Sequence, residues 1–146
     1  MKFVLVKSNL GFADRFQLLC FIIQYAKKTN RTLVVDWTDE IWSGNDPNKD
    51  FYYYFHFKDN IKFNVMSLRE FKKWYINHIK EGNTLSIFPK NVNILTRSYG
   101  KSDMSKDNSF NNTFIDITVK DSKIKDYSDD LVVVLGNDSR STNCLV

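Results

Sequence analysis

The first part of the chain alternates between short apolar runs and one longer periodic segment. An apolar run with β-branched residues over 2–6 predicts a buried strand, and a loop follows over 7–13. Apolar residues at spacings of three and four predict a helix over 14–28, which Asn30 ends in a left-handed cap. Its apolar surface is wide, so we expect burial on more than one side. A second strand over 32–36 then completes a βαβ unit with parallel strands.

The pattern farther along the chain is less regular. Residues 51–57 are almost entirely aromatic, and as a strand they would present aromatic rings on both faces. Ser67 and Glu70 form a capping-box pattern, which predicts a helix that reaches Lys80 and stops near Gly82. Three further segments are predicted to be strands and one a polar loop: strands at 84–88, 92–96 and 131–136, and the loop at 98–112.

These elements predict an α/β fold, a Rossmann-like parallel sheet with flanking helices. The length of 146 residues supports one domain, 1–146, or one half of a two-domain enzyme. A hydrophobic content of 42% excludes a collagen-like or wholly disordered chain. The net charge of +4 is spread without a basic run, which argues against nucleic-acid binding but suits an anionic ligand such as a sugar nucleotide.

The number of cysteines and the hydropathy of the sequence indicate in which cellular compartment the protein is expected. Two cysteines do not form a disulfide framework, and Cys20 lies in an apolar run that predicts a buried free thiol. The sequence shows no secretion signal, and the run at 18–23 is too short to span a bilayer. These features favour a cytoplasmic protein without a membrane span.

The loop before the first predicted helix is the first candidate site. Ligands of open α/β sheets bind where strands end, and the free N–H groups and dipole of a helix N-terminus favour an anion. Gly11 permits a positive φ or the close approach of a ligand, although the spacing alone favours a simple tight turn. Arg15 either pairs with a phosphate or lies on a solvent face. Asp14 is predicted to cap the helix.

The second candidate site follows the second strand. Asp36 is placed to orient a sugar hydroxyl or to act as a general base, and Trp37 to stack on a sugar ring. The alternative is that the two tryptophans of this segment are core or interface anchors, and that Asp39 and Glu40 are solvated acids. The two histidines of the chain are isolated, so no metal site is predicted.

Several blocks of the N-terminal quarter resemble a known enzyme family. They are Asn9-Leu10-Gly11-Phe12-Ala13-Asp14-Arg15-Phe16-Gln17, then Tyr25-Ala26, then Thr29-Asn30-Arg31-Thr32-Leu33-Val34-Val35-Asp36-Trp37. Their order and spacing are similar to the N-terminal signature of the fucosyltransferase superfamily.

The resemblance implies a GT-B glycosyltransferase that transfers fucose from GDP-fucose with inversion and without an obligatory metal or other cofactor. The donor-contacting loop of that family corresponds here to Asn9, Gly11, Phe12, Ala13, Asp14 and Arg15. Ala13 stands where a second glycine is usual. The phosphate-gripping His-x-Arg-Arg-x-Asp-like motif of the family's second domain does not occur in this sequence.

The chain therefore resembles the N-terminal, acceptor-side domain of such an enzyme. The expected partners are a sugar nucleotide and a glycan or protein acceptor, together with a second glycosyltransferase domain or another copy of the chain. The alternative is a non-catalytic, partner-docking module, for which the aromatic surplus and the missing motif argue.

Overall fold

The computed structural model describes residues 1–8, 11–88, 90, 94–95 and 126–136, and these form an α/β fold with one parallel sheet. The described strands are β1 Phe3–Ser8, β2 Thr32–Asp36, β3 Ile87–Phe88 and β4 Leu131–Gly136. They lie in the order β2-β1-β4-β3, and every pair of neighbours is parallel. The described helices are α1 Phe12–Thr29, α2 Glu40–Ser43, α3 Phe51–Tyr54 and α4 Leu68–Lys80. The predicted Rossmann-like fold is confirmed.

The two faces of the sheet carry separate hydrophobic cores, because side chains alternate along each strand. Val4 and Val6 point to one face, where they pack with the buried stripe of α1. Phe3 and Leu5 point to the other face, where Phe71 of α4 covers them. The sheet is thus the middle of three layers, and its strands read as continuous apolar runs because both faces are buried.

The ends of the two long helices follow from local chemistry. Asn30 ends α1 at φ 55° and ψ 39°, the left-handed cap predicted for it. Ser67 precedes α4, and its hydroxyl accepts a hydrogen bond from the Glu70 backbone N–H at 3.2 Å. Gly82 follows α4 at φ 84°, where glycine has no steric cost. These predicted boundaries are confirmed.

Arg31 joins the start of β2 to the approach to β4. Its guanidinium is buried and donates to the carbonyl oxygens of Phe3 at 3.0 Å and Tyr127 at 2.7 Å. Its Nε donates to the Asp126 carboxylate at 3.1 Å, and the Tyr25 hydroxyl donates to the same oxygen at 2.7 Å. One side chain therefore fixes the segment 126–130 against β1 and α1.

The aromatic run at 51–57 does not take the strand conformation considered for it, because Asp50 accepts the Tyr53 backbone N–H and caps the single turn α3 instead. Two predictions from the sequence pattern are wrong. Cys20 is exposed. The buried positions of α1 form a single stripe on the sheet side rather than two faces: Arg15, Leu18, Leu19, Ile22, Tyr25 and Ala26.

Other predictions fall partly outside the described residues. Of the strand predicted at 92–96, only Ile94 and Leu95 are described, and they form a turn. The loop predicted at 98–112 lies wholly outside the described residues. Among the described helices, none has both the length and the apolar character needed to cross a membrane.

Candidate functional site

The parallel register of β1 and β2 brings the two predicted sites to one edge of the sheet. Lys7 lies opposite Asp36, one residue before the end of β1 and at the end of β2. The Lys7 Nζ lies 2.6 Å from Asp36 Oδ2, and both side chains are almost fully buried. The Thr38 hydroxyl donates to Asp36 Oδ1 at 2.6 Å. Asp36 is therefore an internal ion-pair partner at this edge.

Burial sets the electrostatics of this pair. It lowers the pKa of Lys7, and the positive charge of nearby Lys72 lowers it further, while the Asp36 carboxylate opposes both effects. The sequence predicted that Asp36 orients a substrate hydroxyl, but in this arrangement its carboxylate is already paired with Lys7 and Thr38. Both of its oxygens are engaged within the chain, so contact with a ligand would require the pair to open.

Arg15 is also buried, and it faces Asp39 rather than solvent. Its Nη1 and Nη2 donate to Asp39 Oδ1 and Oδ2, each at 2.7 Å, in a fork geometry. Asp39 in turn accepts the Trp42 backbone N–H and caps α2. Of the two alternatives stated for Arg15, the solvent-facing one is wrong, and the expectation that Asp39 is solvated is also wrong. Glu40 is exposed, as expected.

Two indole rings enclose the Arg15 guanidinium. Its Cζ lies 5.2 Å from the centroid of Trp37 and 5.3 Å from that of Trp42. Trp37 is completely buried and packs edge-on against Phe16 and Phe51, so its faces are not open to a sugar ring. Trp37 is therefore a core anchor rather than a stacking surface for a sugar, in agreement with the alternative interpretation of the sequence.

The N-terminus of α1 is open where the family resemblance places donor contact. Gly11 is the N-cap, makes no side-chain cap and has φ −66°, so the backbone does not require glycine there. A Cβ built on Gly11 meets nothing within 4 Å, and Phe12 and Ala13 are exposed beside it. The φ of −66° excludes a positive φ as the reason for glycine at this position, whereas the tight turn and the close approach of a ligand both stay predictions.

Asp14 does not cap α1 as predicted. The helix begins two residues earlier than the hydrophobic pattern indicated, so Asp14 lies in its first turn, where a carboxylate interacts favourably with the helix dipole. Asn9 lies outside the described residues.

A group of aromatic rings adjoins the N-terminus of α1, and all of its members except the half-buried Trp42 are exposed. We call it the aromatic patch, and its members are Phe12, Trp42, Tyr53, Tyr54 and Phe55. Phe12 is 66% exposed, Tyr53 62% and Tyr54 54%. Ring contacts connect the patch from Phe12 to Trp42 (6.2 Å between centroids), on to Tyr54 (5.8 Å), and on to Tyr53 (4.8 Å).

A cavity that the sequence did not predict lies beside the patch. It has a volume of about 610 Å³ and lies between the segment 47–53 and the first turns of α4. Asp50, Tyr53, Arg69 and Lys72 are among its lining residues, and Tyr53 also belongs to the aromatic patch. The sequence offered one signal for it, the two cations three residues apart after a predicted cap. That spacing is equally typical of a solvated helix face.

No group of three or more metal-ligating side chains clusters within the described ranges. Tyr52 also lines the cavity, and its hydroxyl donates to the Met66 carbonyl oxygen at 2.9 Å. Burial raises the pKa of Asp50, and the charge of Asp36 adds to this rise, while hydrogen bonds from backbone N–H groups oppose it.

Comparison with known proteins bears on the fold. No family model matches the chain, and no curated protein matches it. A solved structure does match: the fucosyltransferase NodZ from Bradyrhizobium, with a TM-score of 0.53 and 17% sequence identity. The fold is fucosyltransferase-like. The alignment covers 91% of this chain and 43% of the NodZ chain, so this chain spans less than half the length of the enzyme that it resembles.

Proposed function

We propose that this chain is a fucosyltransferase-like glycosyltransferase domain of the GT-B type, which takes part in transferring fucose from GDP-fucose to a glycan or protein acceptor. The observation that carries the proposal is the open N-terminus of α1 at the carboxyl edge of β1. Gly11 presents no side chain there, and a Cβ built on it meets no described residue within 4 Å apart from its chain neighbours. The unpaired N–H groups and positive dipole of an 18-residue helix favour the diphosphate of a nucleotide sugar.

The buried charges give this edge its rigidity. The Arg15–Asp39 pair ties the first turn of α1 to the segment after β2, and the Lys7–Asp36 pair ties together the ends of the two strands. In this proposal Arg15 is a positioning residue, since its guanidinium is enclosed by Trp37 and Trp42. Direct donor contact is proposed for Gly11 and for the exposed backbone of its neighbours.

The aromatic patch supports an acceptor role for the same edge. Sugar rings stack on exposed aromatic faces, and Phe12 joins the patch to the N-terminus of α1. We therefore propose that the acceptor glycan lies across the patch while the donor diphosphate lies at the helix end. A second glycosyltransferase domain would supply the phosphate-binding motif that this sequence lacks.

Titration calorimetry of the purified chain with GDP-fucose tests the donor site, with GDP-mannose and UDP-glucose as controls. Among the described residues, apart from its chain neighbours, nothing lies within 4 Å of a Cβ built on Gly11, so Gly11→Trp is expected to fold while donor binding is lost. Asn60→Trp, at an exposed turn, is the matched control. Unchanged selective binding in Gly11→Trp would refute the placement, and no binding by the native chain would refute a donor site in it.

A second candidate function is a non-catalytic docking module. The observation that favours it is the exposure of the aromatic patch, since contiguous exposed apolar surface marks interaction sites. Phe12→Ser and Tyr54→Ser would then reduce self-association or partner capture in sedimentation velocity without changing the circular dichroism spectrum. A chain that sediments as a monomer and binds no hydrophobic dye would count against docking.

A further inference from the structure

The cavity between the segment 47–53 and α4 is lined by cationic side chains on one side and by an acidic and a phenolic side chain on the other. Arg69 and Lys72 line it from one face of α4, and within the described part of the chain neither forms an ion pair. Asp50 and Tyr53 line it from the other side. A ligand that fits this lining carries negative charge at one end and hydroxyl groups at the other.

The first turn of α4 strengthens the cationic side. Ser67 and Arg69 line the cavity, and this turn begins a 13-residue helix. The Glu70 N–H is taken by the Ser67 hydroxyl and the Phe71 N–H by the Ser67 carbonyl oxygen. Within the described residues, the two N–H groups before them, those of Leu68 and Arg69, have no backbone partner, as expected for the first turn of a helix. The helix dipole thus adds to the charges of Arg69 and Lys72.

The side of the cavity opposite α4 can form hydrogen bonds with the hydroxyl groups of a ligand. Asp50 accepts the Tyr53 backbone N–H through Oδ1, and a carboxylate has further lone pairs to accept from hydroxyl donors. The Asn48 amide and the Tyr53 hydroxyl add donors and acceptors at the same wall. The volume of about 610 Å³ lies in the range of small-molecule sites and exceeds what a bare inorganic anion fills.

We infer that this cavity binds a sugar that carries a single anionic group, either a phosphate or a carboxylate. The anionic group lies against Arg69, Lys72 and the first turn of α4, and the sugar hydroxyls face Asp50 and Tyr53. The inference goes beyond the proposed function, because binding here requires neither a donor nucleotide nor a transfer reaction.

Titration calorimetry of the full chain with four probes tests the site: glucose 6-phosphate, glucuronate, glucose and inorganic phosphate. Either or both of the charged sugars should bind, and the comparison between them identifies the anionic group. Glucose should bind at least about tenfold more weakly, because it loses the charge-assisted hydrogen bonds. Binding of inorganic phosphate as tight as that of the sugars would reduce the site to a nonspecific anion site and overturn the inference.

Charge variants on one helix separate this site from general electrostatics. Lys72→Gln and Arg69→Gln should each weaken binding of the charged sugars about tenfold. Lys73→Gln is the matched control, because Lys73 is exposed on α4 and does not line the cavity. Asp50→Asn retains a residue that can cap α3 and should reduce the preference for the sugars over inorganic phosphate.

Equal weakening by Lys73→Gln, or no binding of any charged sugar by the native chain, would overturn the inference. Neither result bears on GDP-fucose binding at Gly11, which the Gly11→Trp titration measures separately.

Discussion

The Arg15 guanidinium and the Asp39 carboxylate form two parallel hydrogen bonds of 2.7 Å across 24 residues of sequence. The pair is buried, and it joins the first turn of α1 to the N-cap of α2. The pair therefore holds the first turn of α1 against the segment that follows β2. A ligand bound at Gly11 would be positioned by this pair without touching it.

Removal of one partner from this pair should be costly. Arg15→Ala or Asp39→Ala leaves a buried charge unpaired, so each should lower the free energy of unfolding by about 3–5 kcal/mol. Urea denaturation at neutral pH measures the loss. Asp14→Ala is the control, because Asp14 is partly exposed and contributes mainly through the helix dipole, about 0.3–1 kcal/mol. A loss in Arg15→Ala no larger than in Asp14→Ala would show that the pair is not buried in solution.

The elements that could be predicted from the sequence are those whose boundaries are set by residues close to them in the chain. The β2 boundaries, the Asn30 cap and the Ser67 cap all arise from side chains within a few residues of the feature. Apolar runs predicted β1 and β4 for the same reason, since strands buried on both faces must be continuously apolar. These local signals suffice for the parallel βαβ unit and its flanking helices.

The site was harder to predict because its contacts are distant in sequence. Nothing in the spacing of Arg15 and Asp39 distinguishes a buried pair from two solvated charges. The aromatic run at 51–57 has strong strand propensity, yet the Asp50 cap and packing of Phe51 on Trp37 favour a helical turn. The cavity is lined mainly by two segments, 47–53 and the start of α4, with Thr38 and Leu95 beside them, and only the fold brings these parts together.

The Asp126 carboxylate should make stability depend on pH at the acidic end. Burial alone would raise the pKa of Asp126, but hydrogen bonds from Tyr25 and the Tyr127 backbone, with the charge of Arg31, lower it overall. A pKa below that of the unfolded chain contributes stability above about pH 4, and this stability is lost as the pH falls through the folded pKa. Asp126 is partly exposed, so the contribution is about 1 kcal/mol or less.

Asp126→Asn tests this contribution by urea denaturation at pH 7 and near pH 2.5. The variant should be less stable than the native chain at pH 7, and the difference should shrink at the lower pH. Asp59→Asn, at an exposed turn, controls for the loss of a negative charge. A deficit in Asp126→Asn that stays constant between the two pH values would contradict the assigned direction of the pKa shift.

The cap of α4 should contribute measurably to stability. Ser67→Ala removes the acceptor for the Glu70 N–H and should cost about 1 kcal/mol, whereas Ser67→Asp retains an acceptor and should restore most of the loss. The urea midpoint of each variant gives the comparison. If Ser67→Asp is as unstable as Ser67→Ala, the hydroxyl acts through some contact other than the cap.

The exposed thiol of Cys20 tests whether the face of α1 that points away from the sheet is accessible to solvent. Leu18, Leu19 and Ile22 are buried against the sheet, whereas Cys20 lies on the opposite side of the helix and is exposed. In a Cys144→Ser background, which leaves Cys20 as the sole cysteine, a maleimide reagent should label the folded chain nearly as fast as the chain in urea, because access does not require unfolding. The rate is followed by mass spectrometry. Labelling that occurs only in urea would mean that another surface covers this face of α1, and the single buried stripe assigned to the helix would then be incomplete.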